Sequence, residues 1–124
     1  MGFTYSGTME IQNAVSGLSA LAHQARLEVF RLLVRAGPSG MAAGDIARAT
    51  GSLANTLSAN LNVLSHAGLV TSRREGRSII YSAAYDRMSE LLAFLMEDCC
   101  ASDSAICGPL AQITTRASAC CEPA

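Results

Sequence analysis

Apolar residues recur at helical spacing from Ile11 onward. Ile11, Ala14, Val15, Leu18, Leu21 and Ala22 predict a first helix, and Leu27, Phe30, Leu33 and Val34 a second. Gly37-Pro38-Ser39-Gly40 ends the second. Residues 43–49 predict a short Ala-rich helix stopped near Gly51. Residues 52–66 predict a longer one with Leu53, Leu57, Leu61 and Leu64 as its apolar stripe and Gly68 as its stop. The period then changes. Leu69-Val70-Thr71-Ser72 and Ser78-Ile79-Ile80-Tyr81-Ser82 predict two strands, joined by a charged turn, Arg73-Arg74-Glu75-Gly76-Arg77. Met88, Leu91, Leu92, Leu95, Met96 and Cys99 predict one face of a last helix. Residues 1–7 suggest a loose arm, and residues 100–124 a small-residue tail broken by Gly108-Pro109. The expected architecture is mostly α with a small β-hairpin: one domain over 1–98, then a Cys-rich tail over 99–124.

The turn Ala49-Thr50-Gly51-Ser52 joins the short helix to the long one as in a helix-turn-helix. Such a unit lays its second helix in the major groove of duplex DNA while its first crosses the backbone. On a helical wheel Asn55, Ser58, Ala59, Asn62 and His66 fall opposite the leucine stripe. Amides and hydroxyls donate and accept at base edges, and an Asn can pair bidentately with adenine. This face, with Thr56 beside it, carries no Arg. Arg73, Arg74 and Arg77 at the hairpin would supply phosphate or minor-groove contacts, which position rather than specify. An ordinary amphipathic helix with a solvated polar face would look the same in isolation. The basic hairpin beside a helix-turn-helix is what favours DNA.

Composition sharpens this picture. At 124 residues with 50% apolar and 15% charged positions, the chain suits one globular domain. No apolar run approaches the roughly 18 residues a membrane helix needs. Met1-Gly2-Phe3-Thr4-Tyr5 lacks the basic and apolar regions of a secretion signal, so a cytoplasmic location is expected. Net charge is −1, but residues 1–92 carry +2 and residues 93–124 carry −3. Every cation is Arg, a planar fork suited to phosphate and base edges, and there is no Lys. All five Cys lie between residues 99 and 121, and in a cytosolic chain they are expected as thiols.

Leu21-Ala22-His23-Gln24-Ala25-Arg26-Leu27-Glu28-Val29, Thr56-Leu57-Ser58, Leu61-Asn62-Val63-Leu64, Ala67-Gly68-Leu69-Val70 and Arg73-Arg74-Glu75-Gly76-Arg77 resemble the ArsR/SmtB family of metalloregulatory repressors. The resemblance covers roughly residues 10–98. It implies a winged helix-turn-helix homodimer, joined through its first and last helices. It implies binding of double-stranded operator DNA without any cofactor, and release when a toxic metal or metalloid binds. His23-Gln24 stands where the family usually has Asp-Pro, and Ala59-Asn60 where it often has a basic residue and His. Met41–Ala47 lacks the Cys set of the best-known arsenic sensors. Asp86 is present, but Met88 and Cys99 occupy positions where zinc sensors would have His.

The similarity is instead to arsenite repressors with Cys-Cys and a third Cys just after the last helix, which implies Cys99, Cys100 and Cys107 as ligands of As(III) or Sb(III). Thiolates select soft, thiophilic ions. Trivalent arsenic takes three in a pyramid, and Asp103, Ser104 and Ala105 are small enough to let the chain turn back. Adjacent Cys also resist pairing, because their Cα atoms lie about 3.8 Å apart, below the usual disulfide range. Cys120 and Cys121 are a further pair that could form an extra site, scavenge ions or stay inert. His23 and His66 fit structural or surface roles, and Met9, Met88 and Met96 fit core filling. Three stimuli remain open for the same thiols: a trivalent metalloid, a soft divalent ion (Cd, Pb or Zn) with a fourth donor such as Asp103 or Cys121, and thiol oxidation or persulfidation. An enzyme is disfavoured: there is no Gly-rich phosphate loop and no Cys with a plausible His and carboxylate.

Overall fold

The computed structural model describes residues 10–96. Eight elements follow in order: helices α1 (Ile11–Leu21) and α2 (Gln24–Ala36), strand β1 (Met41–Ala42), helices α3 (Ala43–Thr50) and α4 (Ala54–His66), strands β2 (Val70–Glu75) and β3 (Ser78–Ala83), and helix α5 (Tyr85–Met96). Described residues up to Phe94 belong to one compact unit; Leu95 and Met96 fall to a second.

The core gathers one face of each central helix. Val29 and Leu33 of α2, Ile46 of α3, Leu61 and Leu64 of α4, and Leu69 are fully buried. On α4, Leu57, Leu61 and Leu64 repeat at i, i+4 and i+7, so the helix buries one stripe and leaves the other side open. Leu53 departs from the expected stripe. It is the extended N-cap residue, and its side chain is 77% exposed. The helix therefore starts at Ala54, two residues later than the pattern suggested. Gly51, in the left-handed region, ends α3, and its N–H donates to the Ala47 carbonyl. Thr50 adds a side-chain bond to the Ile46 carbonyl, and its hydroxyl meets that of Ser52 at 2.8 Å. The turn between the two helices is thus held by short-range bonds.

Helix α1 is inverted relative to an ordinary surface helix. Its small residues Ala14, Gly17 and Ala20 are buried, while Ile11, Val15 and Leu18 are exposed. Ala14 packs with Leu91 of α5, with Leu21 and Phe94 around them. The guanidinium of Arg26 closes the end of α1, its Nε donating to the Ala20 carbonyl at 2.7 Å. At the other end of α2, the Tyr85 hydroxyl donates to the Val34 carbonyl at 3.0 Å and ties in the start of α5.

The expected hairpin is part of a three-stranded antiparallel sheet, order β1-β3-β2. Two residues are too short to show a period, so β1 left no trace in the hydrophobic pattern. The hairpin is also longer than expected. Arg73, Arg74 and Glu75 are not turn residues; they continue β2 and pair with Ile80, Ile79 and Ser78. Pairing places Val70, Ala83, Tyr81 and Met41 on one face, where they pack against the helices. Gly40 is what allows β1 to reach β3. Its φ is +75°, and a Cβ there would overlap the Tyr81 carbonyl oxygen and crowd Ser82 Oγ. Strain and overpacking together make Gly40→Ala destabilising by roughly 2–5 kcal/mol, measured by urea denaturation.

Candidate nucleic-acid interface

Two surfaces carry the predicted contact residues. The first is the outer side of α4. Burial of Leu57, Leu61 and Leu64 turns Asn55, Thr56, Ser58, Ala59 and Asn62 to solvent, and all five are exposed. Asn60 lies on the leucine side and is only 6% exposed, so the two neighbouring amides serve opposite faces. The exposed side bears no carboxylate or guanidinium. It offers amides, hydroxyls and a methyl group, the groups that read base edges and the thymine methyl. No side chain caps the first turn of α4. At the far end, His66 Nδ1 donates to the Asn62 main-chain carbonyl at 2.9 Å. An open cleft of about 670 Å³ borders this end, lined by Ser16, Ser19, Arg26, Asn62 and His66.

The second surface is the β2–β3 wing. Its tip is the two-residue link Gly76-Arg77, with Gly76 at φ +63°, the left-handed start that primed hairpin turns require. Arg74 and Arg77 are exposed, and neither takes part in an ion pair among the described residues. Arg73 differs. Its Nε donates to Glu75 Oε2 at 2.7 Å, its Nη2 to the Ser39 carbonyl at 2.7 Å, and its Nη1 to Ser82 Oγ at 3.5 Å. Sequence reasoning grouped Arg73 with Arg74 and Arg77 as equivalent cations. Strand alternation separates them, because Arg73 and Glu75 share the face opposite Arg74. Ser39 lies 34 residues away, so no local pattern could have linked it to Arg73.

Among the described residues no three His, Cys, Asp or Glu side chains gather into a group that could hold a metal ion. Cys99, Cys100 and Cys107, the expected ligands, and the further pair Cys120 and Cys121 lie outside the described residues. Met88 packs against the core, and His23 and His66 are at the surface. No described helix is long and apolar enough to cross a membrane.

Residues 21–73 match a family described as a helix-turn-helix domain. The HTH-type transcriptional regulator YgaV of Escherichia coli is 30% identical over 89 residues, which cover 72% of this chain and 88% of that one. The solution structure of Mb0332 from Mycobacterium bovis, a homodimeric winged helix-turn-helix domain and possible ArsR-family regulator, is 32% identical with a TM-score of 0.59. That match covers 78% of this chain and 89% of Mb0332. The chain belongs to the ArsR family of winged helix-turn-helix transcriptional regulators.

The relatives that it matches over this fold are named transcriptional regulators, and Mb0332 is a DNA-binding domain. A crystal structure described as a possible transcriptional regulator for arsenical resistance is 26% identical, with a TM-score of 0.57, over 64% of this chain and 80% of that one. The uncharacterised regulator Rv0081 of Mycobacterium tuberculosis is 40% identical over 74 residues, 59% of this chain. The match spans 62% of the length of that relative. Within the family fold, β2 and β3 are the wing and α4 is the second helix of the helix-turn-helix.

The two sides of α4 make different demands. Asn55→Ala and Asn62→Ala, on the exposed side, should shift folding stability by no more than about 0.5 kcal/mol. Leu61→Ala, on the buried side, should cost about 2–5 kcal/mol. Urea denaturation of the three variants checks both outcomes.

Proposed function

We propose that this ArsR-family chain is a repressor that binds operator DNA as an apo-homodimer and releases it when As(III) or Sb(III) is bound by Cys99, Cys100 and Cys107. The observation that carries the dimer is the inverted first helix. Ile11, Val15 and Leu18 stand in solvent on a helix whose buried side is Ala and Gly, and Leu92 of α5 is exposed as well. Large apolar side chains at such positions mark an interface. The homodimeric assembly of Mb0332 supports the same reading. Two copies would present two α4 helices and two wings to a two-fold operator in cytoplasmic DNA, with half-sites about 34 Å apart. Asn55, Thr56, Ser58, Ala59 and Asn62 would face base edges, and Arg74 and Arg77 would meet phosphate or the minor groove.

The sensing half of the proposal rests on sequence. Cys99 and Cys100 begin three residues after Met96, where α5 ends, and Cys107 follows seven residues later. Three thiolates suit a trivalent metalloid better than an ion that prefers four ligands. The arsenical-resistance neighbour agrees with that choice. Coordination next to a dimer helix would bias the spacing of the reading heads. Ion and DNA would then oppose each other reciprocally, typically by roughly 1–3 kcal/mol.

Fluorescence anisotropy of the reduced protein on its own promoter DNA tests this. Arsenite should release the unaltered protein, with operator affinity falling about 5–150-fold. Cys107→Ser should bind DNA equally well and stay bound at the same arsenite concentration. Release of both proteins by arsenite would remove Cys107 from the site. Release only by cadmium or peroxide would assign the same thiols to a divalent ion or to oxidation.

A further inference from the structure

The bonds around Arg73 join two segments that the chain itself keeps apart. Its Nη2 holds the Ser39 carbonyl, in the loop between α2 and β1. Ser82 of β3 donates to the neighbouring Pro38 carbonyl at 3.2 Å and accepts from Arg73 Nη1. Ser82 is only 9% exposed. Gly40 lies hard against Tyr81 and Ser82 at the same place. Arg73 Nε meanwhile binds Glu75, which cancels its charge locally. Each of its three nitrogens therefore has a partner inside the protein. Two of those partners, Ser39 and Ser82, lie outside β2, the strand that carries it.

We propose that Arg73 is a positioning residue: it clamps the wing to the 37–40 loop and so sets the angle at which Arg74 and Arg77 meet DNA, instead of contacting phosphate itself. The assignment rests on the operator-binding reading above. A planar fork suits this work because it reaches three acceptors in different directions at once. An ammonium carries the same charge but concentrates it at a point. Phosphate contact needs mainly the charge, whereas the clamp needs the fork. The wing then offers two uncompensated cations per protomer, not three.

The test is operator affinity as a function of salt, for the unaltered chain and its Arg73→Lys, Arg73→Gln, Ser82→Ala and Arg35→Lys variants. Amide hydrogen exchange at Gly40 in the free proteins runs alongside. Binding by the unaltered protein is scored first. Its absence overturns the operator reading itself, whereas binding that Arg73→Lys leaves intact overturns only the clamp. Arg73→Lys and Arg73→Gln should both weaken binding by roughly 3–10-fold and speed exchange at Gly40. Arg35→Lys, at the exposed end of α2, should stay near the unaltered protein in both measurements. Ser82→Ala should weaken binding in the same direction although its buried side chain cannot reach DNA, and combined with Arg73→Gln it should add little further loss. The opposite pattern overturns the proposal. In that case Arg73→Lys keeps full affinity, Arg73→Gln lowers the salt slope by about 0.9 per half-site, and Ser82→Ala changes nothing.

Discussion

One-sided burial of α4 is the constraint on which the rest depends. Leu57, Leu61 and Leu64 must enter the core with Leu33, Ile46 and Leu69. Once they do, helical geometry leaves no choice about which residues face outward. Asn55, Ser58, Ala59 and Asn62 are presented because the leucines are hidden, without a separate device to aim them. The α3–α4 turn fixes where this helix begins, through the Gly51 end of α3 and the Thr50 and Ser52 hydroxyls. The outward face of α4 is therefore a by-product of core packing, and a change of leucine register would rotate it away.

The same core divides labour between affinity and specificity. The outer side of α4 is uncharged and, in the proposed complex, would read hydrogen-bond pattern at base edges. The cations sit on the wing, 12–16 residues beyond Leu61 in sequence, where strand alternation separates Arg73 from Arg74. Sequence-independent attraction comes from charge, and discrimination comes from base edges. Helix α1 adds a third element. Its small buried residues let it sit close to Leu91, and its large residues Ile11, Val15 and Leu18 stay exposed, as the proposed contact with a second copy would need.

Much of this was legible in the residues, and the failures have physical causes. The five helices announced themselves because apolar residues recur at period 3.6 in each, although α1 leaves Ile11, Val15 and Leu18 of that pattern exposed, and the exposed contact residues of α4 followed from the wheel. Leu53 misled because an extended N-cap residue can still fall in register with the stripe that follows it. β1 was invisible because two residues carry no period, and its existence depends on the Gly40 approach to β3. Arg73 to Glu75 read as a turn because charge clusters resemble loops, yet an edge strand can carry charge on both faces. Arg73 itself could not be told from Arg74, since Ser39 lies 34 residues away and Ser82 comes within reach only once β2 and β3 pair. The thiol site is a matter of sequence and family resemblance, because Cys99 to Cys121 fall outside the described residues.

The central claim is that two copies of this fold read DNA through α4 and the wing. Hydroxyl-radical and methylation footprinting of the promoter DNA, with the reduced protein, tests it most directly. The account predicts two protected major-groove patches about one helical turn apart, related by two-fold symmetry, each flanked by protection in the adjacent minor groove. A single patch, or protection confined to the backbone with no major-groove guanine shielded, would contradict it.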